Sequence, residues 1–150
     1  QNPAGLRLDV EADGDRITAR HTVTRAHQSY DGTVHGGIIT ALLDEVMGWA
    51  VFIKGDWGVT ARMSVTFRAP VPLGEELVAT GWIERDRGRG LETKGELVRA
   101  ADGTVLAEAD ALFLRMPEGQ RAALERRYGA EPAVLAAVRA AIDEEERQRA

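Results

Sequence analysis

The sequence predicts an α+β fold, with an antiparallel sheet wrapped around one long central helix. Two observations carry that expectation. From Ile38 to Ile53 the chain is apolar nearly all round, with Leu42, Leu43, Val46, Met47, Ala50 and Val51 at its middle. A helix without a broad polar face is buried, so other elements have to cover it. After it come four strand-like stretches, the last three joined by short turns, which makes those chain neighbours antiparallel.

The elements follow in order. Leu6 to Val10 and Arg16 to Val23 read as short strands around the turn Ala12-Asp13-Gly14-Asp15. Arg25 to Thr33 reads as a polar loop, and His35-Gly36-Gly37 leads into the helix. The helix stops near Lys54-Gly55, where a Gly just past the last apolar residue is an ordinary end signal. Its apolar stretch of roughly 15 residues, interrupted by two carboxylates, is short for a bilayer span.

Val59 to Arg68 alternates, with Val59, Ala61, Met63, Val65 and Phe67 on one face and Thr60, Arg62, Ser64, Thr66 and Arg68 on the other. Pro70 and Pro72 close that strand. Glu76 to Arg85, Leu91 to Arg99 and Thr104 to Arg115 are the remaining strands, with Ala101-Asp102-Gly103 a hairpin signal. Pro117 starts a helix reaching about Tyr128, and Pro132 starts another into Glu144-Glu145-Glu146. Residues 1–116 are therefore read as the main domain and 117–150 as a helical extension.

Composition narrows the function classes. The chain has 150 residues, enough for one domain with a substantial core, and its 44% hydrophobic content is ordinary for a soluble globular protein. A net charge of −5 argues against general nucleic-acid binding. With no cysteine there is no disulfide framework, thiolate metal site or cysteine nucleophile, which suits a cytoplasmic location. No basic segment followed by an apolar run opens the chain, so neither a leader nor a membrane partner is expected. The chain starts at Gln1, and residues preceding it are expected. Zinc-type His/Glu spacing, Gly-x-Ser-x-Gly and phosphate-loop patterns are missing, so no metal or cofactor is expected.

The chemistry-bearing residues cluster on the central helix. Asp44 and Glu45 interrupt its apolar run, and a carboxylate kept there needs a partner, solvent or a chemical role. Gly36 and Gly37 lie where the first backbone N–H groups of a helix have no internal partner and the dipole favours negative charge. They read as an oxyanion hole, a phosphate site, or a tight turn needing positive φ. Asp44 lies eight residues beyond Gly36, roughly 12 Å at 1.5 Å per residue, so cooperation between them calls for two chains and a symmetric dimer. His35 either orients this loop, touches substrate or bonds a turn. Thr60 either holds a water or serves β propensity. Arg85, Arg87 and Arg89 form a basic turn, either solvated or suited to phosphates. Met47, Trp49 and Phe52 are core residues or the lining of a pocket.

Gly32-Thr33-Val34-His35-Gly36-Gly37, with Asp44 nine residues after His35, resembles the hotdog-fold acyl-CoA thioesterases, nearest the PaaI-like branch. Gly58-Val59-Thr60 and Arg68-Ala69-Pro70 add to the likeness, which covers about residues 5 to 115. The resemblance implies a helix wrapped by an antiparallel sheet, a homodimer or homotetramer, and an acyl-CoA substrate. It implies that the Gly36 N–H polarises the thioester carbonyl and that Asp44 of the partner chain attacks it or activates water. His35 would steady the loop, and Thr60 would hold the water. Many relatives carry Asn six residues before the His; here Ser29 stands there with Gln28 beside it. Gln28, Ser29 and Gly37, with Arg87 and Arg89, complete the candidate substrate contacts. A non-catalytic acyl-CoA-binding or regulatory hotdog protein is the alternative. A hotdog hydratase ranks last, because no His here has an Asp five residues before it.

Overall fold

A computed structural model describes residues 4–128 and residue 147. Six strands form one antiparallel sheet: β1 (Asp9–Asp13), β2 (Arg16–Thr22), β3 (Gly58–Phe67), β4 (Glu76–Asp86), β5 (Gly90–Arg99) and β6 (Val105–Arg115). Their order across the sheet is β1-β2-β4-β5-β6-β3. The central helix α1 (Gly36–Ile53) packs on this sheet, and α2 (Glu118–Tyr128) follows β6. This is the hotdog arrangement expected from the sequence. The expected helix from Pro132 lies outside the described residues, as does most of the 117–150 extension.

The helix sits deep because the strands beneath it carry small residues. Gly81 of β4 and Gly95 of β5 are cross-strand partners. A Cβ on Gly81 would lie 2.5 Å from the Val46 carbonyl carbon, so only glycine lets the helix backbone descend there. Ala107, Ala109 and Ala111 of β6 keep the neighbouring strand equally low, and Leu42, Leu43, Val46 and Met47 are fully enclosed. Thr93 is the one buried polar side chain among the described residues, and its hydroxyl donates to the Ala111 carbonyl at 3.3 Å. By length and composition α1, at 18 residues, passes for a membrane span. Here it is the core helix of the sheet.

Two details differ from the sequence reading. β1 begins at Asp9 rather than Leu6, because its pairing with β2 is set by the tight turn at Gly14, which has φ 60°. The larger correction concerns β3. Its ladder with β6 runs Phe67↔Ala107, Val65↔Ala109, Met63↔Ala111 and then Thr60↔Phe113, with Ala61 left over as a bulge. The extra residue reverses the alternation. Thr60 joins Met63, Val65 and Phe67 on the helix-facing side, and Val59, grouped with that face by alternation, is turned out and 49% exposed.

β3 is also an edge strand, ten residues long, while the other edge, β1, has five. At the far end of α1, Arg115 bonds both Asp56 and Asp86 with forked contacts of 2.8 Å, and also bonds the Gly88 carbonyl. The Arg115 guanidinium, with the Gly88 amide, holds the Asp86 carboxyl down at about 2. This clasp joins the helix exit to the β4–β5 turn.

Candidate active site

The entry to α1 is built locally. His27 accepts the His35 amide at 2.8 Å, Ser29 donates its amide to Thr33 at 2.8 Å, and the Gln28 side chain accepts the Gly32 amide at 3.1 Å. Gly32 has φ 78° and closes this loop. Gln28 is thus a loop brace, Ser29 has its hydroxyl at an exposed position, and Tyr30 projects at the tip, 84% exposed.

His35 is the N-cap of α1. Its Nδ1 accepts the Gly37 N–H at 2.8 Å, which requires the neutral tautomer with the proton on Nε2. The His35 carbonyl accepts the amides of Ile38 at 2.9 Å and Ile39 at 3.4 Å. That leaves the Gly36 N–H as the one amide of the first turn with no partner among the described residues. The helix dipole directs partial positive charge to the same place. Neither Gly36 nor Gly37 has positive φ, so the tight-turn reading of this pair is set aside. Their smallness serves close approach instead. A Cβ on Gly37 would lie 2.9 Å from His35 Nδ1, and one on Gly36 would lie 3.3 Å from Cζ of Phe67.

Asp44 lies in the middle of α1, half-buried, and its Oδ1 accepts the Thr60 hydroxyl at 2.7 Å. That length is typical of a hydroxyl bonded to a carboxylate. Asp44 also lines an open groove of about 630 Å³ with Leu6, Leu8, Ala41, Glu45 and Trp49. Glu45, exposed and lining the same groove, accepts the Trp49 indole N–H at 3.2 Å, so the two carboxylates have different hydrogen-bond partners. Met47 is core, while Trp49 and Phe52 are half-buried and meet edge to face at 5.3 Å.

The structure brings Asp44 and Thr60 together, and separately His35, Gly36 and Gly37. The basic turn joins neither group. Arg87 pairs with Glu92 at 3.1 Å and Arg85 approaches the same carboxylate at 3.9 Å, while Arg89 is exposed. Sequence reasoning missed Phe67 as a neighbour of Gly36, having placed it with the core-facing residues of β3. The available hint was its position as the last large apolar residue before Pro70. Beside the loop, His21 has a buried Nε2 with no hydrogen-bond partner, and its ring is 5.4 Å from that of His27. Burial first, and then the His27 charge, pushes the His21 imidazole below its ordinary value.

Comparison with known proteins follows the same lines. Human acyl-coenzyme A thioesterase 13 is 28% identical over 101 residues, 66% of this chain and 72% of that protein. Mouse acyl-coenzyme A thioesterase THEM4 is 29% identical over 89 residues, 59% of this chain but 38% of that longer relative. In fold, the E. coli PaaI protein from the phenylacetic acid degradation operon aligns with a TM-score of 0.70 at 21% identity, over 75% of this chain and 81% of its own. Streptococcus mutans smu.793, solved bound to acetyl CoA, aligns at 0.69 and 20% identity, over 73% and 89%. The profile of the thioesterase superfamily matches residues 31–106, from the loop before the helix to the start of β6. With the cap, the buried helix and strands β3, β4 and β5 inside that span, which takes in half of the chain, the chain belongs to the thioesterase superfamily.

Proposed function

We propose that this protein hydrolyses an acyl-CoA thioester to the free acid and CoA, in sites shared between two chains. One observation carries the reading: the unpartnered Gly36 N–H and the Thr60-bound Asp44 carboxylate are the two groups the reaction needs. They lie eight residues apart on one helix, roughly 12 Å, which is too far to serve one carbonyl from a single chain. The names of the curated relatives and the acetyl CoA held by a fold neighbour support the substrate class.

Gly36 of one protomer donates to the carbonyl oxygen, and Asp44 of its partner faces the carbonyl carbon. Either water attacks while Asp44 takes its proton, or the carboxylate attacks and water then hydrolyses the resulting anhydride. In both routes negative charge forms on the oxygen beside Gly36 and is stabilised there. The C–S bond then breaks, and the thiolate takes a proton, from the Asp44 carboxyl in the water route or from water in the anhydride route, to become the CoA thiol. Thr60 donates to one Asp44 oxygen and leaves the other for water or the carbonyl carbon. His35 holds the entry in shape through Gly37. The assembly joins along β3, the longer edge, where Val59 and Phe67 are exposed.

The test is thiol release from a panel of acyl-CoAs. The chain has no cysteine, so a thiol reagent meets no background from the protein. Release that vanishes in Asp44→Ala, with acyl-CoA still bound, supports the reading. Binding without release by the wild-type protein overturns it in favour of an acyl-CoA-binding role.

A further inference from the structure

Phe67 has no role in the reading above except as part of an edge, yet it touches the candidate oxyanion donor. Its ring lies against Gly36, close enough that a Cβ there would meet Cζ at 3.3 Å and Cε1 at 3.5 Å. It is nevertheless 51% exposed, one of three large apolar side chains exposed to that degree among the described residues. One side of the ring therefore rests on the helix entry while the rest stands open beside the Gly36 N–H, the one first-turn amide with no partner among the described residues. An apolar wall at a hydrogen-bond donor keeps water from one side of it and strengthens its bond to a developing oxyanion.

The position on β3 adds to this. The bulge at Ala61 puts Phe67 and Thr60 on the same face of the edge strand, one touching Gly36 and the other Asp44. If two copies meet along β3, the same strand presents both half-sites to the shared space. Resting on the thioesterase reading, we propose that Phe67 is a substrate-positioning residue. Its open side forms the apolar shelf for the groups flanking the thioester, and it holds the carbonyl oxygen against the Gly36 N–H. A side chain at Gly36 would push the ring off this place by a few tenths of an ångström.

The experiment compares Phe67→Ala, Phe67→Leu and Phe67→Tyr on one acyl-CoA that the wild type turns over. Phe67→Ala is expected to lower kcat by roughly tenfold, less than loss of an oxyanion donor itself, with KM changing less. Phe67→Tyr, which keeps the ring, is expected to stay within about twofold of wild type, and Phe67→Leu to fall between. In addition, Gly36→Ala is expected to lose activity that the double variant with Phe67→Leu partly regains, since the smaller side chain makes room. Size-exclusion at assay concentration separates a mere edge contact from this role. Unchanged kcat in Phe67→Ala, or a loss that tracks dissociation of the assembly, overturns the inference. A wild type without thiol release overturns the thioesterase reading instead.

Discussion

The start of α1 and its middle each present one polar contact to the candidate site, and they are made in different ways. At the start, His35 Nδ1 receives the Gly37 amide from two residues away, within one turn of backbone. In the middle, Asp44 receives the Thr60 hydroxyl across 16 residues from another element, and only because Ala61 is one residue too many for the ladder. The first contact needs little more than the local sequence. The second exists only once helix, edge strand and bulge are all in place. The donor half of the site is therefore built by local geometry, and the carboxylate half by tertiary structure.

The sharpest way to break the pair is to remove one half at a time. Gly36→Pro deletes the free N–H, and proline suits this first helical position; His35 before it, at φ −65° and ψ 131°, already has the extended backbone proline requires. The Phe67 ring has to give by a few tenths of an ångström. Gly36→Pro is expected to lower kcat by about 10²–10³-fold, and Asp44→Ala by at least as much. Mixed assemblies of the two variants are expected to regain activity, since one shared site then keeps both groups intact. If the refolded mixture releases no more thiol than either variant alone, the site does not span two chains.

Deleting Ala61 tests the bulge. Removing the extra residue leaves a regular ladder with Thr60 still opposite Phe113 and facing the helix, so turnover is expected to stay above that of Thr60→Val. A deletion variant no better than Thr60→Val would mean that the bulge itself, and not only the face it gives Thr60, is needed for the Asp44 contact. Thr60→Val by itself is expected to cost about tenfold in kcat, near 1.4 kcal/mol, while Thr60→Ser retains activity.

The local half is expected to respond more gently. His35→Ala removes the cap acceptor and is expected to cost about 1 kcal/mol of stability, read by denaturant midpoint. A midpoint unchanged from wild type would show that the imidazole does not support the helix start. The smallest effect concerns His21. Its folded-state value lies below the ordinary 6.5, so below that pH the unfolded chain takes up a proton that the folded one resists. Stability is expected to decline as pH falls from about 6.5 toward the lowered value, and His21→Gln to flatten that slope. The same slope in the variant would point to another group.

Some of this was legible because it depends on neighbours along the chain. The all-round apolar pattern from Ile38 to Ile53 identified the core helix, and His35-Gly36-Gly37 marked its start. Asp44 stood out because a carboxylate within such a helix needs a reason. The antiparallel succession of β4, β5 and β6 followed from their short turns. Thr60 was named as a candidate but assigned to the wrong face, because alternation counts residues and a bulge breaks the count.

The helix, its start at His35-Gly36-Gly37, its interrupting carboxylate and the strands could be read along the chain, since each rests on periodicity or backbone chemistry within a few residues. Only the tertiary structure decided that β3 leaves its sequence neighbours to pair with β6 at the sheet edge. It alone aimed Thr60 at Asp44, laid Phe67 on Gly36 and tied Arg87 to Glu92. The physical reason is that strand order, bulges and side-chain contacts across elements depend on how distant segments share one core, which no local pattern encodes.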